Sequence, residues 1–286
     1  MGIAAAAAAS TLYSLGIAVQ ALDARETDVD HGLRVKLIGD LLRRRRWVAG
    51  TGMTVLGWPL QLLALSFAPL VIVQPALAAG LIVLLLVAQG MLAEAAGRRE
   101  VLAVAAIVGG VAGMAFLAPG RSTHHPSHAA LAVSLVVLGL ACGLPYLLRM
   151  IGRPLPVVTM LGAGFCFAWS GLVTKLVSDA LAGRHWGTAV AWALATGVAS
   201  GVGLLSEMSA LQVRPAIQVA PVVFVVQTVV PVALAAILLD EGFFTTAYSG
   251  VPLLACLGVL LGGATVLARS RLLLALTAAE KPAPAG

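Results

Sequence analysis

The sequence predicts an all-α, polytopic membrane protein of about nine transmembrane helices, built as two copies of one unit with opposite orientation. Three observations lead there. Of the 286 residues, 60% are hydrophobic and only 10% charged, with a mean hydropathy of +1.01; a soluble domain carries about 25% charged residues. Apolar runs, each near the ~20 residues that cross a bilayer, recur along the whole chain, whereas a β-barrel would show short alternating strands. Finally, a set of proline, acidic and glycine landmarks in the first half returns in the second.

The net charge of +6 does not point to nucleic acid, because the basic residues sit between the apolar runs. Cys142, Cys166 and Cys256 all lie inside such runs, so there is neither a disulfide framework nor paired-cysteine metal spacing. No phosphate-binding loop, nucleophile elbow or paired carboxylates at catalytic spacing occur, which argues against an enzyme or a bound cofactor.

The opening "MGIAAAAAAS" lacks a basic n-region and continues into an apolar run, so residues 2–21 read as the first span and not as a cleaved signal. The longest connection, 22–46, follows and ends in "LLRRRR", a positive-inside anchor suited to anionic lipid. Span 2 covers 47–67 and opens on Trp47, which reads as an interface anchor. Span 3 covers 69–94 and opens on "FAPLVIVQP", with Pro69 and Pro75 six residues apart. Span 4, 101–118, carries Gly109 and Gly113. Span 5 covers 129–149 and follows the loop "HHPSH", read as solvated. Span 6, 156–181, holds Lys175. Span 7, 187–210, holds Glu207. Span 8, 215–239, begins in "VRPAIQVAP", and span 9, 247–268, carries Gly258 and Gly262. Residues 1–128 form the first half, 129–270 the second, and 271–286 a tail whose end, "EKPAPAG", reads as disordered.

Orientation follows from the short loops. With 22–46 inside, 15 of the 18 Lys and Arg residues fall on the cytoplasmic side; only Arg121, Lys175 and Arg184 fall outside. This sets an outer N-terminus and a cytoplasmic C-terminus in the inner (plasma) membrane.

The repeat has an offset of 146 residues. Pro69 and Pro75 meet Pro215 and Pro221, Gln61 meets Glu207, and Glu94 meets Asp240; after a three-residue insertion Gly109 and Gly113 meet Gly258 and Gly262. Gly16 and Gln20 pair more weakly with Gly171 and Lys175. The copies start five spans apart, an odd number, so the second is inverted. Inverted repeats belong to secondary transporters, in which one half rocks against the other around a site near the midplane.

The pieces "GIAVQ" (16–20), "FAPLVIVQP" (67–75), "LVTK" (172–175) and "APVVFVVQT" (220–228) resemble the drug/metabolite transporter, or EamA-like, superfamily, and most of all its NIPA-type magnesium transporter family. The resemblance implies a bundle of two pseudo-symmetric halves, a central solute pathway and alternating access. It implies motif roles for Gln20, Pro69, Pro75, Lys175 and Pro221. The sequence departs from the magnesium-transporter pattern at Gln61, where an asparagine is expected, at Trp58, where an acidic residue is, and at Leu205, Met208 and Ala21. Loss of a carboxylate matters for Mg²⁺, which favours hard oxygen ligands.

Glu207 is the one carboxylate well inside an apolar span, and a charge at that depth is costly. It is a candidate for solute or proton binding; the plainer reading is a side chain reaching the nearby interface. Gln20, Gln61, Gln74, Lys175, Gln218 and Gln227 complete the candidate pathway. For Gln61 the plainer role is a hydrogen bond between helices, and for Lys175 an i,i+4 pair with Asp179. Pro75, Pro221 and Pro231 are candidate helix breaks and gates, since each removes a helix N–H. Glu94, Asp240 and Glu241 read as interfacial charges, and the glycine pairs as close-packing faces. The expected activity is secondary transport of a small solute. A Mg²⁺ or divalent-cation transporter is one alternative, and a non-transporting scaffold or assembly protein is another. The expected partners are the bilayer and a small-molecule or ion substrate, without nucleic acid; a homodimer is compatible with this.

Overall fold

A computed structural model describes residues 2–28, 32–67, 77–91, 97–117, 128–153, 155–238 and 251–269. Gln74, Pro75, Pro69, Glu94, Asp240, Glu241, His124 and His125 lie outside them. Ten helices of eight or more residues are described: α1 (Gly2–Arg25), α2 (Val35–Leu42), α3 (Arg45–Phe67), α4 (Gly80–Met91), α5 (Arg98–Leu117), α6 (His128–Met150), α7 (Pro156–Ala182), α8 (Trp186–Val213), α9 (Ala216–Leu238) and α10 (Val251–Arg269). The described residues contain no strand. The described residues are helical throughout their regular structure, as the composition predicts. Among the described residues four segments are long and apolar enough to cross a bilayer: Ala4–Arg25, Leu131–Met150, Pro156–Val173 and Trp186–Val213. Gly80–Met91, Ala216–Val230 and Leu254–Leu267 are shorter apolar helices.

Each of the nine apolar stretches of sequence contains one of these helices; α2 is the addition. The 22–46 connection is therefore partly helical. α1 continues four residues past the expected end of the first stretch, to Arg25, and α2 forms because Leu37 and Leu41, one turn apart, bury together against α3 and α8.

The helices pack as two comparable sets. α1 lies antiparallel to α3, with Tyr13 beside Gln61 and Gln20 beside Thr51. α7 lies antiparallel to α8, with Ser170 beside Ser200 and Cys166 beside Gly203. These are the two most extensive pairings in the molecule. α4 packs on α1 and α9 on α7; α5 and α10 pack on each other, and α6 lies outside on α7. The C-terminal ends of α1 and α8 meet, because Gln212 reaches the carbonyls of Thr27 and Asp28. One apolar core joins the sets, from Ala18, Leu84 and Ile107 to Met160, Met208 and Ile217.

Small residues set the closest approaches. Gly16 and Gly50 cross so tightly that a β-carbon on either would strike the other's carbonyl oxygen. Between α5 and α10 the contacts fall on Gly110, Gly113 and Gly263, packed against Cys256, Leu260 and the Ala103 carbonyl. The expected packing pairs are thus corrected: Gly113 is at the contact, while Gly109, Gly258 and Gly262 face open space. The four-residue spacing marks a small-residue helix, but rotation about its axis decides which glycine meets the partner. α9 remains helical through Pro221 and Pro231, so neither interrupts the helix; each only withholds one N–H from it.

Candidate functional site

The polar groups of this apolar chain gather where α1 and α8 end, beneath the 26–46 segment. Glu207 sits on α8 in the run Leu205–Leu211, every residue of which is buried. Its residue exposure is 6%, so its side chain is enclosed by protein and does not reach out to water. Its neighbours on the helix are fixed from three directions. Ser206 Oγ lies 3.0 Å from the Tyr146 hydroxyl of α6, which also approaches the Val202 carbonyl at 3.2 Å. Met208 Sδ accepts from Trp47 Nε1 of α3 at 3.2 Å. Ser209 Oγ accepts from the Leu33 backbone N–H at 2.7 Å while donating to the Leu205 carbonyl at 2.6 Å.

Trp47 is 2% exposed, which corrects its reading as an interface anchor. α2 packs on α3, which Trp47 opens, and the indole N–H bonds to another helix instead of a headgroup. Leu33, just before α2, has a left-handed φ of 53°, uncommon for a branched, bulky residue. Its N–H bond to Ser209 and its burial hold that conformation in place.

A second carboxylate lies at the same end of the molecule. Asp23 is 3% exposed near the end of α1, with Oδ1 3.5 Å from Arg44 Nη1. Arg44 turns back over α1 and pairs with Glu26 at 2.6 Å, also donating to the Glu26 carbonyl at 3.2 Å. Asp23 Oδ2 and Gln212 Oε1 are buried acceptors with no hydrogen-bond donor among the described residues. The Gln212 amide meanwhile donates to the carbonyls of Asp28 at 3.0 Å and Thr27 at 3.3 Å. Buried acceptors of this kind are costly unless a proton, water or ligand meets them.

The other candidate residues are distributed through the bundle. Gln20, fully buried, donates through Nε2 to Thr51 Oγ1 at 2.9 Å. Gln61 accepts from the Tyr13 hydroxyl at 2.9 Å, toward the other end of the same hairpin. Both amides therefore tie α1 to α3. Gln218 is fully buried in the first turn of α9, Pro221 is buried one turn on, and Gln227 is half-buried. The Lys175, Asp179 and Pro231 side chains fall outside the described ones. Trp58 is exposed on α3, on the face left to lipid. Among the described residues no group of three or more His, Cys, Asp or Glu side chains is placed to hold a metal ion.

Asp23, Arg44, Tyr146, Ser209 and Gln212 were not among the residues that the sequence marks. The one available signal was spacing: Asp23 lies three residues beyond Gln20, on the same helical face if α1 continues. No protein-family model, curated protein or solved structure matches the chain.

Proposed function

We propose that the protein is a secondary transporter that moves a small solute across the membrane by alternating access, with nine spans and an architecture of the drug/metabolite-transporter type. The observation that carries this reading is the matched packing of the two halves. The α1–α3 hairpin has its counterpart in α7–α8, and the contact of α4 on α1 in that of α9 on α7; the odd number of spans between the sequence copies makes the second inverted in this reading. Two opposed halves around a shared seam suit a machine that opens to one side and then the other.

In this reading the basic 34–46 segment is cytoplasmic. The contacts Leu33–Ser209, Trp47–Met208 and Gln212–Thr27 join the first half to the second there, and so form a closed inner gate. Glu207 lies within that gate, and a buried carboxylate exposed only when a gate parts is suited to bind a proton or a cationic solute group. Pro221, in the first turns of α9, would ease bending at the same end.

The test is cysteine accessibility in a cysteine-free background, using a small membrane-impermeant thiosulfonate on right-side-out and inside-out vesicles. Gln61→Cys should react from outside and Glu207→Cys from inside, and locking either gate by a cross-link should raise reactivity at the other. If the two sites stay unreactive from both sides, a non-transporting scaffold is the correct reading.

A further inference from the structure

We propose that the exposed face of α2 and the adjoining Arg43–Arg46 run is a binding surface for anionic phospholipid headgroups. α2 turns Leu37 and Leu41 inward, where both are fully buried. The opposite side leaves Val35 81% and Leu42 59% exposed, set among the exposed cations Arg34, Lys36, Arg43, Arg45 and Arg46. No ion pair of these five is found among the described residues; of the carboxylates in this segment Glu26 is held by Arg44, and Asp40 is a single half-buried negative charge on α2 against five exposed positive ones.

The four consecutive arginines are divided by their directions. Arg44 is drawn back to Glu26 and Asp23 and serves the fold. Arg43, Arg45 and Arg46 stay exposed and are left for a partner. That partner is anionic by charge, and the apolar residues decide its class. Val35 and Leu42 stand among the cations, and Val48, exposed on α3, begins only two residues past Arg46. Arg45 and Val48, three residues apart in the first turn of α3 and both exposed, share one helical face. A surface that mixes cations with aliphatic side chains at this spacing matches the boundary between phosphate headgroups and acyl chains. A nucleic acid would gain nothing from Val35 and Leu42, and the place of the patch beside the end of α1, a helix long and apolar enough to cross a bilayer, favours a lipid surface over an acidic protein. α2 also contacts α8, the helix that carries Glu207.

The inference rests on the membrane-embedded reading and not on transport. The full chain, purified in dodecyl maltoside, is titrated with short-chain phosphatidylglycerol and, separately, phosphatidylcholine. Phosphatidylglycerol should bind with clear preference, and the preference should fall as salt rises. Replacing Arg43, Arg45 and Arg46 together by glutamine should weaken phosphatidylglycerol binding on the order of 100-fold, while the three-lysine variant keeps most of it. Inorganic phosphate at equal concentration should not compete. Equal binding of the two lipids by the unmodified chain would overturn the proposal. So would unchanged binding by the glutamine variant, or tighter binding of a uridine oligonucleotide that displaces the lipid. Release of the chain from native membranes by alkaline carbonate would instead overturn the membrane reading beneath it.

Discussion

The two ends of α8 lie in opposite surroundings. From Trp186 to Val198, Trp186, Val190, Leu194 and Val198 form an exposed stripe, repeating every four residues. From Gly203 to Leu211 nearly every side chain is buried, on all sides of the helix. Both ends contact α7, but only the second is also covered by α1, α2, α6 and Trp47 of α3. The difference teaches where polarity is tolerated. Aliphatic side chains can face lipid, which is as apolar as they are. Ser206, Ser209 and Gln212 find partners there that lipid does not supply, and Glu207 is buried among them.

Four substitutions would break or sharpen this contrast, measured by thermal unfolding in detergent. The largest loss is expected for Met208→Ala, at about 3 kcal/mol, because a fully buried side chain is removed from the seam between the halves. Trp47 fluorescence should shift in the same variant, since the indole loses its sulfur neighbour. Arg44→Ala comes next. A pair broken in the interior costs about 3–5 kcal/mol, but the Arg44 side chain is 32% exposed and screened, so about 2 kcal/mol is expected. Adding Asp23→Asn should recover part of that loss by removing the unmatched charge.

Ser209→Ala takes away the acceptor of the Leu33 N–H and should cost about 1–2 kcal/mol. Proteolysis within 26–46 should quicken in step, as the segment is freed from α8. The smallest effect is expected at the other end, where Val198→Ala should stay within about 0.5 kcal/mol. A large loss there would mean that the stripe faces another protein surface and not lipid, and a cross-linking experiment with a cysteine at 198 would then find a second copy.

The fold class was legible because it depends on sums. Hydrophobicity averaged over some twenty residues does not require knowing which side chain meets which, so all nine apolar stretches carry helices. Glu207 was legible for the same reason, as the one carboxylate well inside such a stretch. Asp23 was not. It lies in "LDARETD", which reads locally as a polar loop, and only the cover of Arg44 and the 26–46 segment lets α1 carry it inside. Trp47 failed in the opposite sense: a tryptophan beside a run of arginines reads as an anchor until a helix is seen to lie over it. Of the glycine faces only Gly113 was placed correctly, and two contacts fall one position on, at Gly110 and Gly263, because spacing along a helix is local while rotation about its axis is set by the partner.

By itself, then, the sequence determined that this chain is helical and built of apolar helices, and it marked an internal symmetry of prolines, acids and glycines. Those are properties of residues and their spacing. The tertiary structure decided which end of α8 is sealed, that Asp23 and Glu207 are both enclosed at that end, and that Arg44 alone of four arginines turns inward. Burial is a relation between segments far apart in sequence: Leu33 and Ser209 lie 176 positions apart, and Trp47 and Met208 lie 161 apart. No local pattern encodes contacts at such separations, because each is fixed by how whole helices pack.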